Sequence, residues 1–302
     1  MFSVPSFYGF KDGGKFTGLL DEYSGAAAAY SLRLLRAGYT GDAIIVRRSS
    51  DDDEQPIGFD SNGELDTTAL LAHVGTSPTD NGFVQTWYDQ SGNGHDASQT
   101  TTSEQPQIVS SGSVITENGK PAVQFDGTDD FLVLLQSNIG GTNPLTTNDD
   151  LLCAMVLKSL SNLSSYIFNN YQGNGPYNGQ HTLWHQDPSG GNLTYETSYD
   201  DNSNPSVLIS TPQSLGQYLL TNTRDKGGTN HIYINSSSNV SDSDTTSGNI
   251  TSNIDWVIGA RAVDTTDEIW NGNLQEIVLY PSDQSSNRTG IETNINDFYT
   301  IY

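Results

Sequence analysis

Cysteine is nearly absent from this chain. Cys153 is the single one in 302 residues, which excludes an intrachain disulfide, and its place in the apolar run LLCAMVL reads as a buried thiol. Basic residues are scarce as well: 12 Lys and Arg stand against 36 Asp and Glu, for a net charge of −24. Phosphate binding needs clustered Lys and Arg, so nucleic acid is excluded as a partner, and an anionic membrane surface is excluded on the same ground. No run approaches the ~18 apolar residues of a membrane span, so no membrane insertion is expected. The opening MFSVPSFYGFKDGGKF has no basic stretch followed by an apolar one, so no signal peptide is expected. Also missing are a Gly-rich phosphate loop between strand and helix, a Ser-His-Asp set of readable spacing, and an activating partner for the lone cysteine. No cofactor is expected.

What fills the chain instead is Gly, Ser, Thr, Asn and Asp, the residues of turns, beside 34% hydrophobic and only 16% charged residues. That composition predicts many short strands joined by many turns. Strands are predicted at AIIVRR (43–48), FVQTWY (83–88), PAVQFDG, DFLVLL, LLCAMVLK (151–158, buried on both faces), SYIFNNY, HTLWHQ, NLTYETSY, QYLLTNT, HIYIN, IDWVIGA and QEIVLY. Asn-Gly at Asn62, Asn81, Asn93, Asn118, Asn178 and Asn271 signals hairpins. Three helices are predicted. The alanine-rich 21–39 is one, capped by Ser24 and ended by Gly38. The second is 66–75. The third is 285–302, which places Ile291, Ile295, Phe298 and Ile301 at helical spacing. The low-complexity stretch 235–253 reads as a long exposed loop. The whole is an all-β antiparallel sandwich with helical additions. Residues 1–20, with Phe2, Phe7 and Phe10 and no clear period, read as an N-terminal docking arm buried by a neighbouring chain, ahead of one sandwich domain at 21–302.

The ordered series SGAAAAYSLRLLR, VRRSSDDDEQPIGF, TWYDQSGNGHDASQ and GKPAVQFDG, with VIGA, WNG, YPSD and ETNI further on, resembles the catalytic domain of α-L-arabinofuranosidase B and its bacterial and phage relatives. The resemblance spans about residues 21–302. It implies a concanavalin A-like two-sheet jelly roll, with short helices near the N-terminus and one at the C-terminus. It also implies a retaining glycosidase with a Glu nucleophile and an Asp acid/base. Glu196 in LTYETSYDDN matches the nucleophile position without its preceding Asp. Asp264 in VIGARAVDTTDEIW matches the acid/base position, with Arg261 and Ala262 in place of two glycines. The family's pair of adjacent cysteines over the substrate has no counterpart here.

Other residues carry their own alternatives. In YDQSGNGHD, Asp89, Asn93 and Asp96 offer three oxygen ligands, but the spacing fits no calcium loop; the expected reading is a glycine-dependent turn in which Asp89 and Asn93 cap backbone NH groups and Trp87 enters the core. Trp184 and Trp270 are candidate sugar-stacking platforms, with burial in the core the favoured reading of both. His181 and His185 share a strand face without a third ligand and are expected to face solvent. The favoured function is a non-catalytic phage virion component: a capsid decoration, head fibre or tail part. It would be a homo-oligomer set among other virion proteins on the particle surface, touching a cell-surface glycan weakly. The alternatives are an arabinofuranosidase-type hydrolase and a free lectin-like protein.

Overall fold

The LLCAMVL run becomes the strand Leu151–Ser159, in which alternate residues serve two different cores. Cys153, Met155 and Leu157 face the main interior, while Leu152, Ala154 and Val156 face a layer of helix. The computed structural model describes residues 10–11, 15–134, 150–171, 180–200, 206–244, 255–262 and 264–302, and all its strand pairs are antiparallel. One sheet places Ala28–Ser31 and Val123–Asp126 along the same edge of Asn271–Tyr280. It continues through Leu151–Ser159, Gln217–Arg224, Thr229–Ile234 and Ser237–Ser243. The other runs Glu54–Ile57, Ile44–Arg48, Gly82–Trp87, Ala97–Ser98, Leu132–Leu134, Trp256–Ile258, Ser165–Asn169, Gln180–Ser189, Asn192–Asp200 and Ser206–Ile209. Gln107–Ser110 pairs with both Gly82–Trp87 and Val123–Asp126 and so joins the two along one edge. Between them lies a core holding all four tryptophans, Trp87, Trp184, Trp256 and Trp270. This is the two-sheet jelly-roll sandwich that the sequence implied.

Helix α2, Thr67–Val74, starts where expected, with Asp66 accepting from Ala69 N at 2.9 Å in an N-cap. Helix α3, Arg288–Tyr299, lays Ile291, Ile295 and Phe298 on the outer face of the first sheet; Ile301 lies just beyond its end. The predicted helix at 21–39 is wrong. Helix α1 is only Leu19–Glu22, and the alanines run into the strand Ala28–Ser31, fully buried. Its alanines are small because both faces are packed: Ala28 and Tyr30 against the main core, Ala29 beneath the helices. Helix propensity is a weak prior that such packing overrides.

Two further expectations change. Of the 235–253 stretch, residues 245–253 lie outside the described residues, and the part before them is not a loop: Asn235 (φ 51°) and Ser236 (φ 62°) make a two-residue turn into the strand Ser237–Ser243, a turn type that needs positive φ at both positions. Of the Asn-Gly pairs, Asn118-Gly119 forms such a turn between Glu117 and Lys120, whereas Asn81-Gly82 and Asn271-Gly272 lead into strands. The arm boundary also moves. Leu19 and Leu20 are buried with α3 in the second core, and a Cβ on Gly18 would lie 2.2 Å from Leu35 O, so the body begins by residue 18. Phe2 and Phe7 lie outside the described residues, and Phe10 stands opposite Phe16 in a two-residue ladder.

Candidate functional site

The YDQSGNG loop is a clasp. Asp89 accepts from Ala29 N (2.8 Å), Ser91 N (2.8 Å), Ser91 Oγ (2.6 Å) and His95 N (3.1 Å). Gln90 accepts from Leu35 N and donates to Ser31 O and Arg33 O. Asn93 does not cap NH groups as expected; its amide donates to Ala26 O and Ala27 O. Asp96 accepts from Asp89 N. These groups satisfy the free edge of Ala28–Ser31, which pairs with Asn271–Tyr280 on its other side only. A buried strand edge must find such partners. Asp89, Asn93 and Asp96 are thus spent on backbone and do not form an ion cage.

Trp184 and Trp270 are both fully buried, and Trp270 Nε1 donates to Gln186 Oε1 at 3.1 Å. Neither offers a face to a sugar. The aromatic surface lies on the opposite side of the same strands. Tyr166 stands opposite His185, His185 opposite Glu196, and Glu196 opposite Ile209. Residues directly opposite share a face, so four strands place these side chains in one row. His185 is half-buried under Tyr166, ring centroids 4.5 Å apart, and not solvent-facing; Tyr171 stacks on Tyr166 at 5.3 Å. Ile209 at the end of the row is 52% exposed.

A loop leans on this row from the side. Ser164 Oγ sits 3.2 Å from His185 Nε2 and donates to Glu268 Oε1 at 3.3 Å; Arg261 donates to Glu268 Oε2 at 3.3 Å and to Asp267 at 2.8 Å. Tyr166 N donates to Glu268 O, and Glu268 has φ 51°, a left-handed backbone that a non-glycine residue holds at a cost. Burial holds the His185 imidazolium below its usual pKa. Burial, and then the charge of Asp187, raises the Glu196 carboxyl. Burial also raises the Tyr166 phenol, as do Tyr171, Glu268 and Glu196 in that order, with Arg261 opposing. Two carboxylates, Glu196 and Glu268, thus act on Tyr166. Among the described residues the Glu196 carboxylate has no hydrogen bond and no counter-ion. Asp264 is placed otherwise: it is exposed, accepts from Thr266 N and Oγ1, and is held low by those bonds. A proton donor needs the opposite shift. Sequence reasoning found Glu196 but missed Tyr166, Tyr171 and Glu268. Strand alternation around HTLWH was the one available signal.

Sequence reasoning also missed an acidic pocket at FDGTDD. One ligand oxygen from each of Asp126, Asp129 and Asp130 lies within 4.8 Å of the others, at the wall of a 260 Å³ cavity lined also by Phe83, Gln105, Gln107 and Gln124. One oxygen from each of three carboxylates is fewer than the roughly six to eight that a calcium ion takes. Burial first, then Asp126, pushes the Asp130 carboxyl up to about 8. An unfolded aspartate titrates at about 3.9, so stability owed to the protonated form is full below that pH and is lost as pH rises through about 8. Asp130→Asn is expected to remove about 2 kcal/mol of this loss. Melting curves from pH 5 to 9 check it: the wild type should lose more stability across the range than the variant.

No protein-family profile matches the sequence, and no curated protein is similar to it at a significant level. Solved structures share the fold. An arabinofuranosidase in complex with arabinofuranosyl-α-1,2-xylobiose superposes with a TM-score of 0.59 at 15% identity, over 89% of this chain and 62% of that one. A GH54 α-L-arabinofuranosidase soaked with a cyclic sulfate inhibitor gives 0.59 at 16% identity over the same shares. The binding domain of Paraclostridial Mosquitocidal Protein 1 gives 0.51 at 15% identity over 70% of this chain and 49% of that one. The chain thus spans 62% of the length of the arabinofuranosidases it matches.

Proposed function

We propose that this sandwich is a glycan-binding module and that its site is the row Tyr166–His185–Glu196–Ile209 with Glu268 beside it. One observation carries the reading: stacked rings and a half-buried carboxylate without a partner among the described residues share one sheet face. Sugars are held by rings against their C–H faces and by carboxylates that accept from hydroxyls. Tyr166→Ala and Glu196→Gln are each expected to weaken binding at least tenfold, about 1.4 kcal/mol, in a glycan-array screen followed by titration. Unchanged binding in both variants overturns the assignment.

The module belongs, in our reading, to a virus particle, as a decoration, head fibre or tail component set among other virion proteins and copies of itself. The support is the aromatic character of residues 1–20, which suits docking onto an assembly. Mass spectrometry of purified particles tests this, and absence of the chain from every fraction overturns it.

Hydrolysis is the second reading, favoured by one arrangement: Glu196 stands opposite His185 in the row, the Glu268 carboxylate is tied through Ser164 to the same ring, and a glycosidase needs two carboxyl groups about a scissile bond. Turnover of aryl arabinofuranosides, abolished by Glu196→Gln and by Glu268→Gln but not by Asp264→Asn, would establish it.

A further inference from the structure

We infer that the ligand of this row carries a free ammonium group, as a deacetylated hexosamine does; the inference rests on the row being the glycan site. Three carboxylates surround the rings. Glu196 lies in the row, Asp187 lies two residues beyond His185 on the same face of its strand, and Glu268 is held by Ser164 and Arg261. Among the described residues the cation paired with them is Arg261, which is already committed to Glu268 and Asp267. An acidic sugar brought here would meet uncompensated negative charge at short range, an unfavourable contact that strengthens as water is displaced. A neutral hydroxyl would satisfy Glu196 with an ordinary hydrogen bond. An ammonium would do so with a charge-assisted one, roughly twice as strong.

Shape agrees with charge. Val207 and Ile209, 43% and 52% exposed, lie on the same face opposite Ser198 and Glu196. They form an apolar shelf at the open edge of the sheet. A pyranose could rest its C–H face there while its amine reaches Glu196, an arrangement in which apolar body and cationic tip are matched to adjacent surfaces.

The experiment titrates the full chain with three oligosaccharides: fully deacetylated chitotetraose, its N-acetylated counterpart and a sialylated trisaccharide, at low salt and at about 0.15 M. The deacetylated tetramer is expected to bind at least about tenfold tighter than the N-acetylated one, with no binding of the sialylated sugar. Glu196→Gln is expected to bring the ratio near one, while Glu54→Gln, which removes one exposed charge on another strand, should leave it unchanged. Equal losses in the two variants would mean diffuse attraction to an acidic protein and would overturn the inference. Equal binding of both tetramers, lost in Tyr166→Ala, would overturn the ammonium assignment and leave the glycan site standing. Binding of neither tetramer, with no other glycan bound either, would remove both.

Discussion

Ile295→Asp is expected to destabilise the chain by several kcal/mol, a fall in melting temperature of about ten degrees or more. Ile295 is fully buried between α3 and the outer face of the first sheet, among Leu152, Val156, Leu219 and Val278. A carboxylate there loses its hydration and gains no counter-ion, the most costly kind of single substitution in a core. Differential scanning calorimetry or thermal circular dichroism reads the effect. A shift below about one degree would show that α3 is not part of the cooperative unit.

The second large effect lies nearby. Arg33 donates from Nε and Nη2 to both oxygens of Glu276 at 2.8 and 2.9 Å, and from Nη1 to Asn294 at 3.0 Å. Ser31 Oγ and Tyr299 Oη donate to the same Glu276 carboxylate, which is fully buried. Arg33→Met keeps an apolar stem, loses the guanidinium that lies 5.1 Å from the Phe298 ring centroid, and leaves Glu276 charged and without its cation. The expected loss is about 3–5 kcal/mol, the usual result of halving a buried ion pair. Adding Glu276→Gln removes the stranded charge and should restore part of the loss in denaturant titrations. A double variant no more stable than Arg33→Met would mean that packing, not charge, sets the cost.

Much of this framework is legible in the sequence because alternation and helical spacing report burial directly. Leu151–Ser159, Gly82–Trp87 and α3 are cases where the apolar pattern fixes the faces without knowledge of neighbours. The failures have one physical origin, which is that partners distant in sequence decide the outcome. Ala28–Ser31 is a strand because Asn271–Tyr280 pairs with one edge and Asp89 and Gln90 satisfy the other. None of those groups lies within its own window. The candidate site is scattered in the same way. Tyr166, His185 and Glu196 come from three strands and meet through register, and a one-residue slip would send each to the opposite face. Glu268 reaches them from a loop in a left-handed conformation that its residue type does not announce. Trp184 and Trp270 were attractive in isolation as aromatic platforms. Alternation assigned Trp184 to the face opposite His185, and the interior claimed it.

Cys153 gives the molecule a built-in stopwatch. Its thiol is fully enclosed between Gln217–Arg224 and Asn271–Tyr280, and burial pushes it up to about 12. In the folded state it is neither accessible nor present as the reactive thiolate. A thiol reagent reaches it only when the first sheet opens or lifts from the second. With one cysteine per chain, labelling reports the opening of that sheet alone. Under native conditions the labelling rate, set against that of the unfolded chain, therefore measures the free energy of opening at the centre of the sandwich.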